Sequence, residues 1–146
     1  MSNWDSRFMA LAAHVATWSK DPSTKVGAVI VRPDRTVASL GYNGPPRGVS
    51  DALSFADRHR KLARTIHAEL NAILSSHVPV AGYTLYVTLP PCDRCAAHIV
   101  QAGLRRVVTS VSSASDYPDR WALEIAEARQ IFMEAGVVLD AQVRVA

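Results

Sequence analysis

Two cysteines in 146 residues are too few for a disulfide scaffold. No apolar run approaches the ~18 residues that a membrane-spanning helix needs. The opening residues, Met1-Ser2-Asn3-Trp4-Asp5, have neither the basic nor the apolar stretch of a secretory leader. These absences point to a cytoplasmic protein with no membrane partner. Also missing are the H-E-x-x-H pair of a helix-borne zinc protease and the G-x-x-x-x-G-K-[ST] loop of a phosphate binder. No linker, repeat or low-complexity stretch interrupts the chain, so residues 1–146 are expected to form a single domain. What is present is ordinary for a globular protein, with 49% hydrophobic and 20% charged residues.

The formal charge of +3 is unevenly spread. Residues 1–65 hold ten Lys and Arg against five Asp and Glu, while residues 66–146 hold six against eight. An excess of this size suits a small phosphorylated ligand at least as well as a long nucleic acid. No basic patch dense enough for a polynucleotide groove stands out.

Trp4, Phe8, Leu11, Val15 and Trp18 recur at helical steps and predict an amphipathic helix, capped near Ser2 and stopped by Pro22. Val26–Val31 is a continuous apolar run with β-branched residues, the pattern of a strand buried on both faces. Turn chemistry at Pro33-Asp34-Arg35 leads into a second strand, Thr36–Tyr42, antiparallel to the first. Two prolines and two glycines make Asn43–Gly48 a loop, and Asp51–Arg64 reads as polar and partly helical. A helix from Ala68 ends before Pro79, a strand covers Tyr83–Leu89, and a helix over Cys92–Ala102 is closed by Gly103. Arg106–Val111 is a strand. Trp121, Ile125, Ala128, Phe132 and Ala135 form a helical stripe closed by Gly136, and Val137–Val145 is a last strand. The order α β β α β α β α β predicts a three-layer α/β/α fold around a five-stranded mixed sheet. That sheet should be mostly parallel, with the first hairpin as the antiparallel exception.

Two short segments carry chemistry. His67-Ala68-Glu69 opens one helix, and Pro91-Cys92-Asp93-Arg94-Cys95 opens the next after an intervening strand. The partial positive charge of a helix start favours thiolate in a C-x-x-C pair. One neutral imidazole and two thiolates make a three-ligand set for Zn²⁺ that leaves the fourth tetrahedral position open, as catalytic zinc requires. His67 and Glu69 are two residues apart and do not share a helix face, so they are poor joint ligands. The longer Glu69 arm can instead reach water at the metal and carry its proton. A structural zinc would want a fourth ligand, for which His98 is the nearby alternative. A redox pair would account for Cys92 and Cys95 but leave the His-x-Glu segment idle. His14, His59 and His77 sit in no comparable grouping and read as surface or packing residues.

The H-x-E…P-C-x-x-C pattern is the signature of zinc-dependent nucleobase deaminases, and within that superfamily the chain resembles the deoxycytidylate (dCMP) deaminase family. Residues Ser19–Ala28, Gly41–Gly48, His67–Ile73 and Tyr86–Leu89 followed by Pro91-Cys92 carry the likeness, which covers nearly the whole length. Gly41-Tyr42-Asn43-Gly44 and Lys20-Asp21-Pro22 carry most of the branch assignment. Free-nucleoside cytidine deaminases have Cys where His67 stands, and riboflavin-pathway deaminases put more residues between their cysteines. The tRNA adenosine deaminases usually carry an acidic residue at the position of Pro90.

The resemblance implies a cytidine-deaminase-like fold, one zinc per chain on His67, Cys92 and Cys95, and a nucleotide substrate. The reaction it implies is hydrolytic deamination at C4 of a deoxycytidine monophosphate, with Glu69 carrying protons. It further implies Asn43 on the sugar hydroxyl, peptide groups at Ala68 and Pro91 on the base edge, and a homo-oligomer (hexamer or dimer). For the 5′-phosphate the first choice is Arg47, in the loop beside Asn43, ahead of Lys20, Lys25 and Arg64. A tRNA-type adenosine deaminase is the alternative within the superfamily. A non-catalytic zinc module would have no use for Glu69. Two departures matter. Pro90 stands where many family members have a larger residue, which would open room beside C5 of the base. With both cysteines at one metal, the second, structural zinc of some members is not expected. The Asp116–Trp121 segment resembles the family's loop only loosely.

Overall fold

The computed structural model of the chain describes residues 2–110 and 119–142. Ser2 caps the first helix, α1 (Asn3–Ala16), its hydroxyl accepting from the Asp5 amide at 3.0 Å. The helix stops at Ala16, short of the residues that the periodicity suggested. The Thr17 hydroxyl donates to the His14 carbonyl at 2.6 Å, and the Thr17 amide bonds there too, which closes the last turn on itself. Trp18 is therefore not on the helix stripe. It stands edge-on to His14 and Tyr42, 47% exposed.

The remaining elements follow the expected order. They are β1 (Gly27–Val31), β2 (Val37–Tyr42), α2 (Asp51–Ser54), α3 (Arg58–Arg64), α4 (Ala68–Ser75), β3 (Thr84–Val87), α5 (Asp93–Gln101), β4 (Arg106–Ser110), α6 (Asp119–Ala135) and β5 (Val138–Gln142). The partly helical stretch resolves into α2 and α3, each started by a side-chain cap, Ser50 and Asp57. The expected strand ends at Val111 and at 143–145, and the 116–118 part of the loosely matching loop, lie outside the described residues.

The sheet order is β2-β1-β3-β4-β5. β1 pairs antiparallel with β2 and also with β3, while β3, β4 and β5 are parallel. The sheet is mixed as predicted, but β3 adds a second antiparallel pairing by settling against β1. Four strands then run one way and β1 runs against them all. From β2 onward the chain advances across the sheet in one direction, and right-handed crossovers put α4, α5 and α6 on the same face. Among the described residues those three helices cover one side and α1 covers the other. Alternation along the strands sorts the core accordingly. Ala28, Ile30, Leu85, Val87 and Val107 pack with the three helices, and Val29, Val31, Tyr86 and Val108 pack with α1.

Two glycines set how closely the helices approach. A Cβ on Gly27 would run into the backbone of Ala12 and Ala16 in α1, and one on Gly41 would run into that of Ala68 and Ala72 in α4. The seam at α4 is also hydrogen-bonded. The Ser39 hydroxyl donates to the Ala72 carbonyl, and Asn71 Nδ2 to the Tyr42 carbonyl, both at 2.7 Å. Thus α4 is seated on β2 by backbone-to-backbone contact, which fixes the start of the helix where His67 and Glu69 lie.

Candidate active site

α4 and α5 both begin beyond the carboxyl ends of the parallel strands β2 and β3, the edge where open α/β sheets hold ligands. At each start the capping position is given to a metal-ligand type of residue. His67 caps α4 but makes no side-chain cap bond, and Cys92 caps α5 with its sulfur 3.5 Å from the Cys95 amide. Ser, Thr, Asp or Asn would cap better. Forgoing that bond leaves the imidazole free to turn toward α5.

His67 Nδ1 lies 3.2 Å from Cys95 Sγ and 3.6 Å from Cys92 Sγ, and the three ligand atoms fall within 4.8 Å of one another. Zinc bonds to nitrogen and sulfur of about 2.0–2.3 Å give tetrahedral edges of roughly 3.5–3.8 Å, so the cluster already has about the right size. Its imidazole and two sulfurs are a donor set suited to zinc. Among the described residues this is the group that could hold a metal ion, and His98, exposed on the last turn of α5, is not part of it.

The electrostatics of the cluster are uneven. Hydrogen bonding from Cys95, above all, brings the Cys92 thiol down to about 4 against the penalty of burial. Cys95, bonded to Cys92 and more buried, is pushed up, and contact with Cys92 raises His67. A coordinating cation would displace the Cys95 proton. Glu69, in the first turn of α4, is 5% exposed. Burial raises its carboxyl above the ordinary range, outweighing the lowering by its own amide and by His67.

A cavity of about 510 Å³ lies over these groups. Loops flanking the first hairpin contribute Asp21, Thr24, Val26 and Asn43 to it, α3 and the residues after it contribute Lys61, Leu62 and Thr65, and the chain after β3 contributes Leu89 and Pro90. The far wall is α6, with Trp121, Glu124 and Ile125.

The sequence-based candidates fare differently. His67, Ala68, Glu69 and Cys92 line the cavity, with Cys95 buried beside them. Pro91 is buried and does not line it, whereas Pro90 does. Asn43 lines it, but both ends of its amide are engaged. Oδ1 accepts from the Val26 amide at 2.9 Å and Nδ2 donates to the Thr24 carbonyl at 2.8 Å, which leaves one more Nδ2 hydrogen for a ligand. Arg47 is exposed on the turn after Pro46 and is not among the lining residues. Nor are Lys20, paired with Asp51 at 2.8 Å, Arg64, bonded to Ser54, or Lys25.

The cations that do line the cavity, Lys61 and Arg94, escaped the sequence reading. Arg94 was legible in principle, because it sits between two cysteines that must both face the metal. Lys61 was not, since nothing in a short polar stretch says which way its helix turns. Basic charge is concentrated on α3, which gathers Arg58, Arg60, Lys61 and Arg64 into seven residues.

A ligand triad with a buried, non-ligating glutamate beside it is the arrangement by which zinc-dependent nucleobase deaminases handle water, and this fold and site define a protein of that class. Residues 2–111 match the family model described as the cytidine and deoxycytidylate deaminase zinc-binding region. The chain belongs to that family. It is 43% identical over 137 residues to an uncharacterized deaminase in the luxG 3′ region of Aliivibrio fischeri, covering 94% of this chain and 92% of that protein. With the deoxycytidylate deaminase of Mus musculus it shares 40% identity over 141 residues, covering 92% of this chain and 76% of the relative. In fold it is similar to the dCMP deaminase of cyanophage S-TIM5, with a TM-score of 0.74 at 22% identity over 97% of this chain and 100% of that one.

Proposed function

We propose that the chain removes the C4 amino group of a deoxycytidine monophosphate by hydrolysis, with residues 1–146 acting as one catalytic domain. The observation that carries this reading is the buried Glu69 carboxyl, held in one cavity with the His67, Cys92 and Cys95 ligand set. The deoxycytidylate deaminases among its relatives support the choice of base and sugar. The cavity also has the size of a small-molecule site.

His67, Cys92 and Cys95 hold the zinc, which when bound supplies the Lewis acidity that makes water a nucleophile near neutral pH. Glu69 takes one proton from the attacking water and passes it to N3 as the C4–O bond forms. It then carries the second proton to the amino group as the C4–N bond breaks. Ammonia leaves, and the oxygen of water stays on C4 as the new carbonyl. The raised carboxyl of Glu69 suits it to take up and give back protons in turn. The peptide groups at Ala68 and the Pro91-Cys92 turn read the base edge, and the remaining Nδ2 hydrogen of Asn43 reads the sugar hydroxyl.

A cytoplasmic homo-oligomer, hexamer or dimer, completes the proposal. It is supported by unpaired cysteines and by large apolar side chains left exposed on α4 and α6, among them Leu74, Leu123 and Met133. Among the described residues no helix is long and apolar enough to cross a membrane.

A substrate panel read by ammonia release tests the reaction. Deoxycytidine monophosphate should be processed far better than deoxycytidine, and a 5-methyl monophosphate should react within about tenfold of it, because Pro90 leaves room beside C5 and one methyl is worth only ~1–3 kcal/mol in a pocket. Equal rates on nucleoside and nucleotide would refute the monophosphate assignment. Robust deamination of a tRNA anticodon loop would move the protein to the editing branch, and the basic α3 makes that arm worth running. Cys92→Ser and Cys95→Ser should each lose most of the zinc, measured by elemental analysis.

A further inference from the structure

We infer that Arg94, between the two metal-ligating cysteines, recognises the anionic 5′ end of the substrate; this rests on the nucleotide reading above. The two cations lining the cavity are not equivalent. Lys61 Nζ lies 3.0 Å from the Asp21 carboxylate and 3.1 Å from the Ser23 hydroxyl, and Asp21 is 4% exposed. The charge of Lys61 is already matched within the protein. The Arg94 side chain is exposed and enters no ion pair among the described residues. The nearest acidic neighbour in sequence, Asp93, has its Oδ1 turned back to the Arg94 amide at 2.8 Å.

Placement favours Arg94 as well. Cys92 and Cys95 bracket it on the first turn of α5, so its Cα is held in fixed relation to the reaction centre while its exposed side chain lines the cavity. A planar guanidinium offers donors in a fork that matches phosphate oxygens two at a time. Glu124 belongs to the α6 wall of the same cavity and carries the opposite charge. Asp93 lines the cavity too, with one oxygen held by the Arg94 amide, so an anionic substituent is drawn to the Arg94 guanidinium itself and away from Glu124. The cations favoured by sequence position are off the cavity or already engaged, as described for Arg47, Lys20 and Arg64.

The test compares ligands with and without the phosphate on zinc-loaded protein. For wild type, Arg94→Ala, Arg94→Gln, Arg94→Lys and Arg47→Ala, kcat/KM is measured for dCMP and deoxycytidine, and Kd by calorimetry for dUMP and deoxyuridine. Zinc per chain is measured on each sample, and only samples that retain it are compared. Arg94→Ala and Arg94→Gln should lower the nucleotide-over-nucleoside ratio roughly ten- to a hundredfold in both measurements, chiefly through KM. Arg94→Lys should restore part of it, and Arg47→Ala should keep the ratio within about twofold of wild type. A wild-type preference for dCMP that survives in both neutral variants overturns the role of Arg94 and leaves the nucleotide reading standing. A loss of preference in Arg47→Ala alone also overturns it. No wild-type preference at all overturns the nucleotide reading itself, and the role of Arg94 with it.

Discussion

On the α1 side of the sheet, the buried carboxylate of Asp5 accepts from the Tyr86 hydroxyl at 2.6 Å and from both ends of the Arg106 guanidinium at 3.0 and 2.9 Å. Arg106 also bonds Asp140 at 2.7 Å, so α1, β3, β4 and β5 are tied at one point. On the other side, the buried carboxyl of Glu69 has no ion-pair partner among the described residues. The same chemical group is thus pushed in opposite directions. Hydrogen bonds from Arg106 hold Asp5 well below the usual carboxylate range, while burial lifts Glu69 above it. A buried carboxylate locked to a guanidinium is a clamp, whereas one without an ion pair is suited to carry protons. The sheet keeps the two apart.

The largest expected effect breaks the comparison on the Glu69 side. Glu69→Gln keeps the shape and removes the proton carrier, so kcat should fall by several orders of magnitude while zinc content and thermal midpoint stay near wild type. Loss of the metal in this variant would make Glu69 a ligand and end the contrast.

The next effect breaks it on the Asp5 side. Arg106→Met strands a buried carboxylate and should cost about 3–5 kcal/mol in urea denaturation, with kcat of the folded fraction within about twofold of wild type. The same clamp predicts a pH dependence. Asp5 titrates well below its unfolded value of about 3.9, so as pH falls the unfolded chain takes up the proton first. The stabilisation is complete above about pH 5 and is lost progressively below it. Urea midpoints at about pH 5 and pH 3 should therefore drop further for wild type than for Asp5→Asn. Equal drops would mean that Arg106 and Asp5 contribute no net coupling.

The smallest effect sharpens the comparison. Among the described residues, the buried hydroxyl of Thr109 has no hydrogen-bond partner; it lies on the strand face shared with Val107. Removing a polar group that has nothing to lose should leave stability unchanged or raise it, by up to about 1 kcal/mol for Thr109→Val. A clear loss of stability would show that the hydroxyl has a partner such as water.

What the sequence disclosed follows the reach of each signal. His67, Glu69, Cys92 and Cys95 were legible because each half-motif is local and both flank one strand, so a single crossover brings them together. The helices and strands were legible from periodicity, but the insertion of β3 against β1 was not, since element order does not state which neighbour a returning strand chooses. Arg47 is near Asn43 in sequence, yet it stands exposed on the turn after Pro46 and is not among the residues that line the cavity. The α6 wall, with Glu124 facing the site, depends on helix rotation over a whole domain, and no short pattern encodes that. Helix ends were the least legible, because a single hydroxyl at Thr17 decides where α1 stops.

The position of β1 also sets a schedule. Its pairing with β2 closes across a short turn, but its pairing with β3 joins segments separated by more than fifty residues. His67 lies inside that long excursion and Cys92 just beyond its end. Closing it costs loop entropy that only the finished sheet repays. The first hairpin is thus local, whereas the ligand set is brought together only when the long excursion closes. A metal held by His67, Cys92 and Cys95 would therefore bridge the two ends of that excursion and report that β3 has found β1, while saying nothing of β4 and β5.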